Sequence, residues 1–314
     1  MQVLLVGGMG FIGSSLACEL AKRGHDVLIA NRGLQNRESR CGNVILWDAL
    51  HEWVGSPPRV DVVVHLASAN GDQTLESLDT YTNNLAVTRN VLDLCRRIEN
   101  VAVLYVSTLQ VFGRWSGRLS AESPVRPSTE YGFSHWVAEE HVKMFARTNS
   151  RQSKILRLSN VIGVGADPKT VRWSTVPAEF CSQAVHTHQI IVRSSRLTQR
   201  DFIAIERVAE SLSDTIENYQ AWDGKVSLIA SGKSTTIESV ANLVSAVASE
   251  VMMVEIPVKF KVDLMSGQRK HQLRVVCDSP TPDKFTNSGG SEIFELQNSV
   301  SQLIRLAIQE TGIR

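Results

Sequence analysis

The front of the chain constrains its fold more than any other segment. Val3-Leu4-Leu5-Val6 is an apolar run, Gly7-Gly8-Met9-Gly10-Phe11-Ile12-Gly13 follows, and residues 14–23 read as a helix. A strand, a tight glycine turn and a helix N-terminus aim unpaired backbone N–H groups and the positive helix end at one point. Missing Cβ atoms let a pyrophosphate approach that point. The run fits G-x-G-x-x-G from Gly8 and G-x-x-G-x-x-G from Gly7. Glycine-rich turns also serve packing alone, so the reading rests on the βαβ unit that this one opens. Within that unit the turn is a dinucleotide site. The apolar start has no basic residues ahead of it and four glycines interrupt it, which favours strand, turn and helix over a leader segment.

Strand-like and helix-like runs then alternate. Strands are expected at Val27 to Ala30, Val44 to Trp47, Val60 to Leu66, Val101 to Val106 and Ile155 to Leu158, with helices over about 79–98 and 131–148. Val101 to Val106 is apolar throughout, as in strands buried on both faces of a parallel sheet. Alternation over 160 residues predicts an α/β fold: a doubly wound parallel sheet of the Rossmann kind, with helices on both faces. Residues 1–163 form the dinucleotide-binding domain, to which 199–231 return, with Val226 to Ala230 as a further strand. Residues 164–198 and 232–314 form a smaller C-terminal α/β substrate lobe, with helices expected at 175–187, 237–251 and 293–308, a strand at 189–193 and a loop at 278–291.

Composition excludes several function classes. Lys and Arg total 33 against 32 for Asp and Glu, leaving a net charge of +1 and no basic field for nucleic acid. No apolar stretch approaches the roughly 18 residues a membrane span needs. The five cysteines (Cys18, Cys41, Cys95, Cys181, Cys277) are scattered, and are read as reduced thiols in a cytoplasmic protein rather than disulfides or metal ligands. His186 and His188 have no further ligand at suitable spacing, so no metal is expected. No G-x-S-x-G elbow or Walker-type phosphate loop is present.

Tyr131 opens the helix after the fifth strand in Tyr131-Gly132-Phe133-Ser134-His135, and Thr108 ends that strand in Tyr105-Val106-Ser107-Thr108-Leu109-Gln110. With these residues, His65-Leu66-Ala67-Ser68, Asn84-Leu85-Ala86-Val87-Thr88-Arg89-Asn90, Arg157-Leu158-Ser159-Asn160-Val161-Ile162-Gly163 and Arg200-Asp201-Phe202-Ile203, the chain resembles the extended short-chain dehydrogenase/reductases. Within them it resembles the NAD(P)-dependent nucleotide-sugar epimerase/dehydratase family, nearly end to end. The resemblance implies that Thr108 and Tyr131 contact the reacting oxygen, Tyr131 moving the proton while hydride passes to or from a nicotinamide. Read without it, Thr108 is a strand-end hydroxyl and Tyr131 a helix-start aromatic.

The same resemblance implies cofactor contacts from Gly7, Gly10, Phe11, Ile12, Gly13, Asp48, Leu66, Ala67, Ser68 and Asn84, and substrate contacts from Thr108, Asn160, Arg200 and, more weakly, Arg269. A homodimer through the helices at 79–98 and 131–148 follows from it as well. Family members with a 4,6-dehydratase activity carry Asp-Glu where this chain has Leu109-Gln110, so dehydration is not expected. Net reduction of a keto-sugar, or epimerisation at carbon 4, remains.

One departure matters most. Four residues after the tyrosine the family has lysine, and here stands His135. At about 6 Å and an effective dielectric of ~20, a fixed charge there contributes ~3 kcal/mol, roughly two pKa units on the tyrosine. A histidine near its reference pKa of ~6.5 is mostly neutral at pH 7 but still donates a hydrogen bond to the nicotinamide ribose. Alcohol oxidation, which needs phenolate, suffers more than ketone reduction, which needs phenol. Cofactor choice turns on Ala30-Asn31-Arg32: no carboxylate ends the second strand, and Arg32 suits a 2′-phosphate, favouring NADP over NAD. Reduction of a non-sugar ketone and a cofactor-binding protein with weak catalysis are the competing readings.

Overall fold

The computed structural model describes residues 1–33, 39–68, 78–114, 116–261, 273–275 and 291–311. Seven parallel strands form the central sheet: β1 (Gln2–Val6), β2 (Asp26–Asn31), β3 (Asn43–Leu46), β4 (Val62–His65), β5 (Ala102–Thr108), β7 (Ser153–Leu158) and β11 (Val226–Ile229). Their order is β11-β7-β5-β4-β1-β2-β3, so the winding reverses between β1 and β4. That switch point opens a crevice at the strand C-termini, where ligands of such sheets bind.

Period-2 alternation in wholly apolar strands covers both faces. Val3 and Leu5 pack with Leu16 and Leu20 of α1 (Phe11–Lys22) and with Val208, Leu212 and Ile216 of α5 (Ile205–Glu217). Leu4 and Val6 face the other way, onto Val91 and Leu94 of α2 (Leu78–Arg97) and Val142 and Phe145 of α3 (Glu130–Asn149). Each fully buried aliphatic side chain contributes about 1.5–3 kcal/mol, so two such layers hold the sheet rigid beneath the crevice.

A second core gathers α4 (Val176–Thr187), α6 (Ile237–Met252) and α7 (Ser291–Thr311) with the short parallel pair β9 (Ile190–Val192) and β13 (Val258–Phe260). Three further short pairings form two small sheets separate from the main one. β10 (Gln199–Ala204) lies between β8 (Asn160–Ile162) and β12 (Ser234–Thr236), and β6 (Gly117–Leu119) pairs with β14 (Leu273–Val275). Among the described residues, no helix is long and apolar enough to cross a membrane.

The cysteine reading needs correction. Cys18 in α1 and Cys41 ahead of β3 are joined in a disulfide, their Cα atoms 4.7 Å apart. Their 23-residue separation carries no signal; β2 pairing beside β1 returns the chain alongside α1 and brings them together. The expectation of a cytoplasmic setting loses the support it drew from reduced cysteines. Cys95 and Cys181 are free and buried, with burial pushing the Cys95 thiol up to about 12. Cys277 and the loop at 278–291 lie outside the described residues.

Candidate active site

The glycine turn is built as its chemistry requires. Gly7 has φ +90°, and a Cβ there would lie 2.7 Å from the Ala67 nitrogen. A Cβ on Gly13 would lie 2.4 Å from the Gly7 oxygen, so the third glycine lets α1 pack against the turn. Gly10 caps α1 with no side-chain acceptor, and the first intrahelical bond runs from Ser14 N to Gly10 O. The N–H groups of Phe11, Ile12 and Gly13 therefore have no acceptor within the helix and face the crevice.

One cavity of about 1140 Å³ lies above the C-termini of β1, β2, β4, β5 and β7. Gly7, Gly10, Phe11, Ile12, Gly13, Arg32, Asp48, Leu66, Ala67, Ser68, Asn84, Thr108, Tyr131, His135, Asn160 and Arg200 all line it. Every candidate singled out in the sequence is thus brought together except Arg269, which lies outside the described residues. The wall opposite the sheet comes from Val171, Arg172, Ser174 and the start of α4. Arg32 is exposed at the rim beside Asn31, while Asp48 spends one oxygen on the Leu50 N–H at 3.0 Å.

α3 delivers the reacting groups. Thr129 caps it, its hydroxyl accepting from Gly132 N at 3.1 Å, which sets Tyr131 in the first turn at the cavity wall. The Thr108 hydroxyl accepts from Gln110 N at 3.2 Å. Its own hydrogen is left to donate into the cavity, so the strand-end capping role and a role toward a substrate oxygen coexist. Burial raises the Tyr131 phenol above its usual pKa, with Arg172 and a hydrogen bond with Ser68 pulling the other way. Tyr131 therefore holds its proton at neutral pH.

His135 is 3% exposed, and its ring meets that of Tyr131 edge-on at 4.5 Å. Its Nδ1 lies 2.7 Å from the Tyr105 hydroxyl, whereas Nε2 is buried with no partner. Burial lowers the His135 pKa to about 4, so it is neutral across the physiological range. The charge that a lysine would place beside Tyr131 is absent from this position.

Beneath the site an ion pair locks α3 to the sheet. Glu139 accepts from Arg157 Nε at 2.9 Å and Nη2 at 2.7 Å, and from Ser107 Oγ at 2.6 Å. Ser107 and Arg157 are register partners on β5 and β7, and Arg157 also lies over the Phe112 ring at 4.8 Å. On the far wall Asn160 Nδ2 donates to Asp201 O at 2.8 Å. Asp201 is itself buried and accepts from Ser159 and Ser231, holding β10 against β8. Burial lowers the Arg200 pKa to about 10, and the guanidinium still carries its charge at neutral pH.

The sequence reading gave no role to Tyr105 and Arg172. Tyr105 shares with Val103 and Ser107 the β5 face toward α3, a placement that strand alternation alone would have indicated. Arg172 sits in a loop whose path no local pattern reveals. Leu109 is buried in a separate cluster and Gln110 lines the cavity, so this edge carries no carboxylate. His186 is exposed on α4, bonded through Nδ1 to Ser182 O at 2.8 Å. Among the described residues, no group of His, Cys, Asp and Glu could hold a metal.

With this geometry in hand, comparison with known proteins is decisive. The NAD dependent epimerase/dehydratase family model matches residues 3–230. The chain belongs to that family. It is an enzyme of the extended short-chain dehydrogenase/reductase class. This family member is 26% identical over 254 residues to a putative UDP-glucose 4-epimerase of Methanocaldococcus jannaschii, covering 77% of the chain and 81% of that relative. It shares its fold with the UDP-N-acetylglucosamine 4-epimerase of Methanobrevibacter ruminantium, solved with UDP-N-acetylmuramic acid, at a TM-score of 0.77 and 23% identity over 98% of both chains. The RMD protein of Pseudomonas aeruginosa, solved with NADPH, has a TM-score of 0.74 at 20% identity, covering 99% of this chain and 100% of that one.

Proposed function

We propose that this epimerase/dehydratase family member transfers hydride at a ring carbon of a nucleotide-sugar, and reduces a keto-sugar more readily than it oxidises an alcohol. The observation that carries the proposal is the single cavity in which the glycine turn, His135, Tyr131 and Thr108 meet Asn160 and Arg200. The residues fit a nicotinamide dinucleotide. Free first-turn N–H groups suit its pyrophosphate, and the orphaned Nε2 of His135 suits a ribose hydroxyl. Such a cofactor supplies the hydride acceptor or donor.

The chain's own residues do the rest. Thr108 donates to the carbonyl oxygen, and Tyr131 gives that oxygen its proton. The phenol is protonated through neutral pH because burial raises its pKa. Reduction is therefore expected to be flat with pH until the phenol ionises, and oxidation to rise with pH toward that point. Arg200 offers charge to a diphosphate, and Asn160 is held beside it by Asp201. In this proposal 1–163 with 199–231 hold the cofactor, and 164–198 with 232–314 form a substrate lobe that completes the sugar-nucleotide site begun by Thr108, Asn160 and Arg200. A homodimer through α2 and α3 belongs to the same reading, since α3 exposes Phe133 and Met144.

Carbon-4 epimerisation is the second reading, favoured by the putative epimerase among the relatives. One assay separates them. Oxidation of the reduced cofactor with a UDP-4-keto-sugar, and no conversion of UDP-glucose, supports net reduction. Interconversion of UDP-glucose and UDP-galactose without net cofactor change supports epimerisation. A cofactor that binds while neither reaction occurs overturns both.

Two substitutions probe the details. His135→Lys restores a charge near Tyr131 and is expected to speed alcohol oxidation at pH 7 by about 10- to 100-fold, moving its pH profile about two units toward acid. An unchanged profile would contradict the electrostatic account. For NADP preference, Arg32→Ala is expected to weaken NADPH binding about fivefold, ~1 kcal/mol for an exposed ion pair, and to leave NADH binding as it was. Equal losses for both cofactors would point away from a 2′-phosphate contact.

A further inference from the structure

We propose that Tyr105 fixes the tautomer of His135, so that Nε2 carries the ring hydrogen and His135 acts as a hydrogen-bond donor into the cavity. Tyr105 is thereby a positioning residue that restores the hydrogen bond of the missing lysine without restoring its charge. This inference rests on the cofactor reading of the cavity and deepens it.

The geometry leaves little choice of arrangement. Tyr105 and His135 are each 3% exposed, and the phenol oxygen lies 2.7 Å from Nδ1. One hydrogen occupies that contact. If Nδ1–H donated it, the phenol hydrogen would need a second acceptor, and among the described residues the Tyr105 hydroxyl has no hydrogen-bond partner besides Nδ1. If the phenol donates, both Tyr105 and Nδ1 are satisfied at once. The remaining hydrogen of a neutral imidazole then sits on Nε2, a buried atom without a protein partner on a residue that lines the cavity.

Protonation states agree with this arrangement. Burial, with Glu139 and Tyr131 nearby, holds the Tyr105 phenol well above its usual pKa, so it remains a donor. Burial keeps His135 neutral down to about pH 4, so Nδ1 remains an acceptor. His65, packed against the Tyr105 ring at 5.0 Å, is held neutral down to about pH 3 and brings no competing charge. Its Nε2 is engaged by Thr88 Oγ1 at 3.0 Å.

A ribose hydroxyl both donates and accepts, so it meets a bare Nε2 lone pair only by turning its own hydrogen toward the ring. The fixed tautomer therefore matters by orientation. It presents a donor where the family's lysine presents one, and leaves the hydroxyl hydrogen to continue toward Tyr131. The His135 and Tyr131 rings meet edge-on at 4.5 Å.

The test is the nitrogen–proton correlation spectrum of the histidine rings in the cofactor-free protein between pH 6 and 8, with His135 assigned by the signal lost in His135→Gln. The expected result is an Nε2-protonated, Nδ1-unprotonated ring across that range. In Tyr105→Phe the ring is expected to become a mixture of tautomers, and the NADPH dissociation constant to rise about tenfold, the upper range for one hydrogen bond. A wild-type ring protonated on Nδ1 overturns the proposal, whether or not the variant folds. So does a variant whose ring is unchanged, or one whose tautomers mix while NADPH binding stays the same. A fixed Nε2–H ring in a protein that binds no nicotinamide supports the tautomer assignment and overturns the cofactor reading instead, which keeps the two failures apart.

Discussion

Tyr131→Phe is expected to lower the rate of hydride transfer by about 10³-fold while NADPH binding is little changed. The size follows from what is removed: a positioned proton donor contributes about 10² to 10⁴. Thr108 still polarises the substrate oxygen, and the rest of the cavity still places it. The phenylalanine ring keeps the edge-on contact with His135, which the tyrosine makes at 4.5 Å, so loss of packing does not account for the effect. Single-turnover oxidation of bound NADPH by a keto-sugar nucleotide measures the chemical step, and fluorescence titration measures binding. A variant that retains near-wild-type transfer would remove Tyr131 from the proton path. A parallel loss of binding would mean that the phenol holds the cofactor rather than moving a proton.

The second large effect concerns stability. Glu139→Ala is expected to destabilise the fold by about 3–5 kcal/mol, because it strands the Arg157 charge in the interior. Arg157 is 2% exposed, and Glu139 supplies both of its hydrogen-bonded contacts to a carboxylate. The Phe112 face offsets only part of the loss. Removing both charges at once, with Glu139→Leu and Arg157→Met, is expected to cost less than Glu139→Ala alone, since no buried charge is then left unpaired. Denaturant unfolding of the three proteins measures this. A double variant destabilised as much as Glu139→Ala or more would contradict the account. The pair has a functional consequence too, for it ties the helix bearing Tyr131 and His135 to the strand bearing Ser107 and Thr108.

Much of the fold could be read along the chain because its signals are local. Apolar runs such as Val101 to Val106 sit between both helix layers, and the glycine turn meets a need for positive φ at Gly7 and for close packing at Gly13. Of the three-residue strands, only β9 (Ile190–Val192) falls on an expected run, 189–193; the others could not be read so. β6 exists because Leu273 to Val275 lies beside it, and β8 because Phe202 lies opposite Asn160. The α5 helix was not picked out either, although its apolar residues Val208, Leu212 and Ile216 recur at helical spacing on the face that meets α1. In the same way, the Cys18–Cys41 bond depends on how α1 and β2 fold back, not on spacing.

At the site, residue types and order indicated who would meet, and His135 stood out as a substitution for lysine. How His135 is used was not legible. Its burial, the phenol on Nδ1 and the unpartnered Nε2 come from β5 and α3 packing face to face, across 30 residues of sequence.

The central claim is that the cleft seats a nicotinamide ring against Tyr131 and Thr108, with its ribose held by His135. A crystal structure of the protein with NADPH tests this most directly. The account predicts His135 Nε2 within about 3 Å of a ribose hydroxyl and both side-chain hydroxyls turned toward the edge of the ring that carries the hydride. A dinucleotide bound with its nicotinamide elsewhere, or with Tyr131 and Thr108 turned from it, would contradict the account.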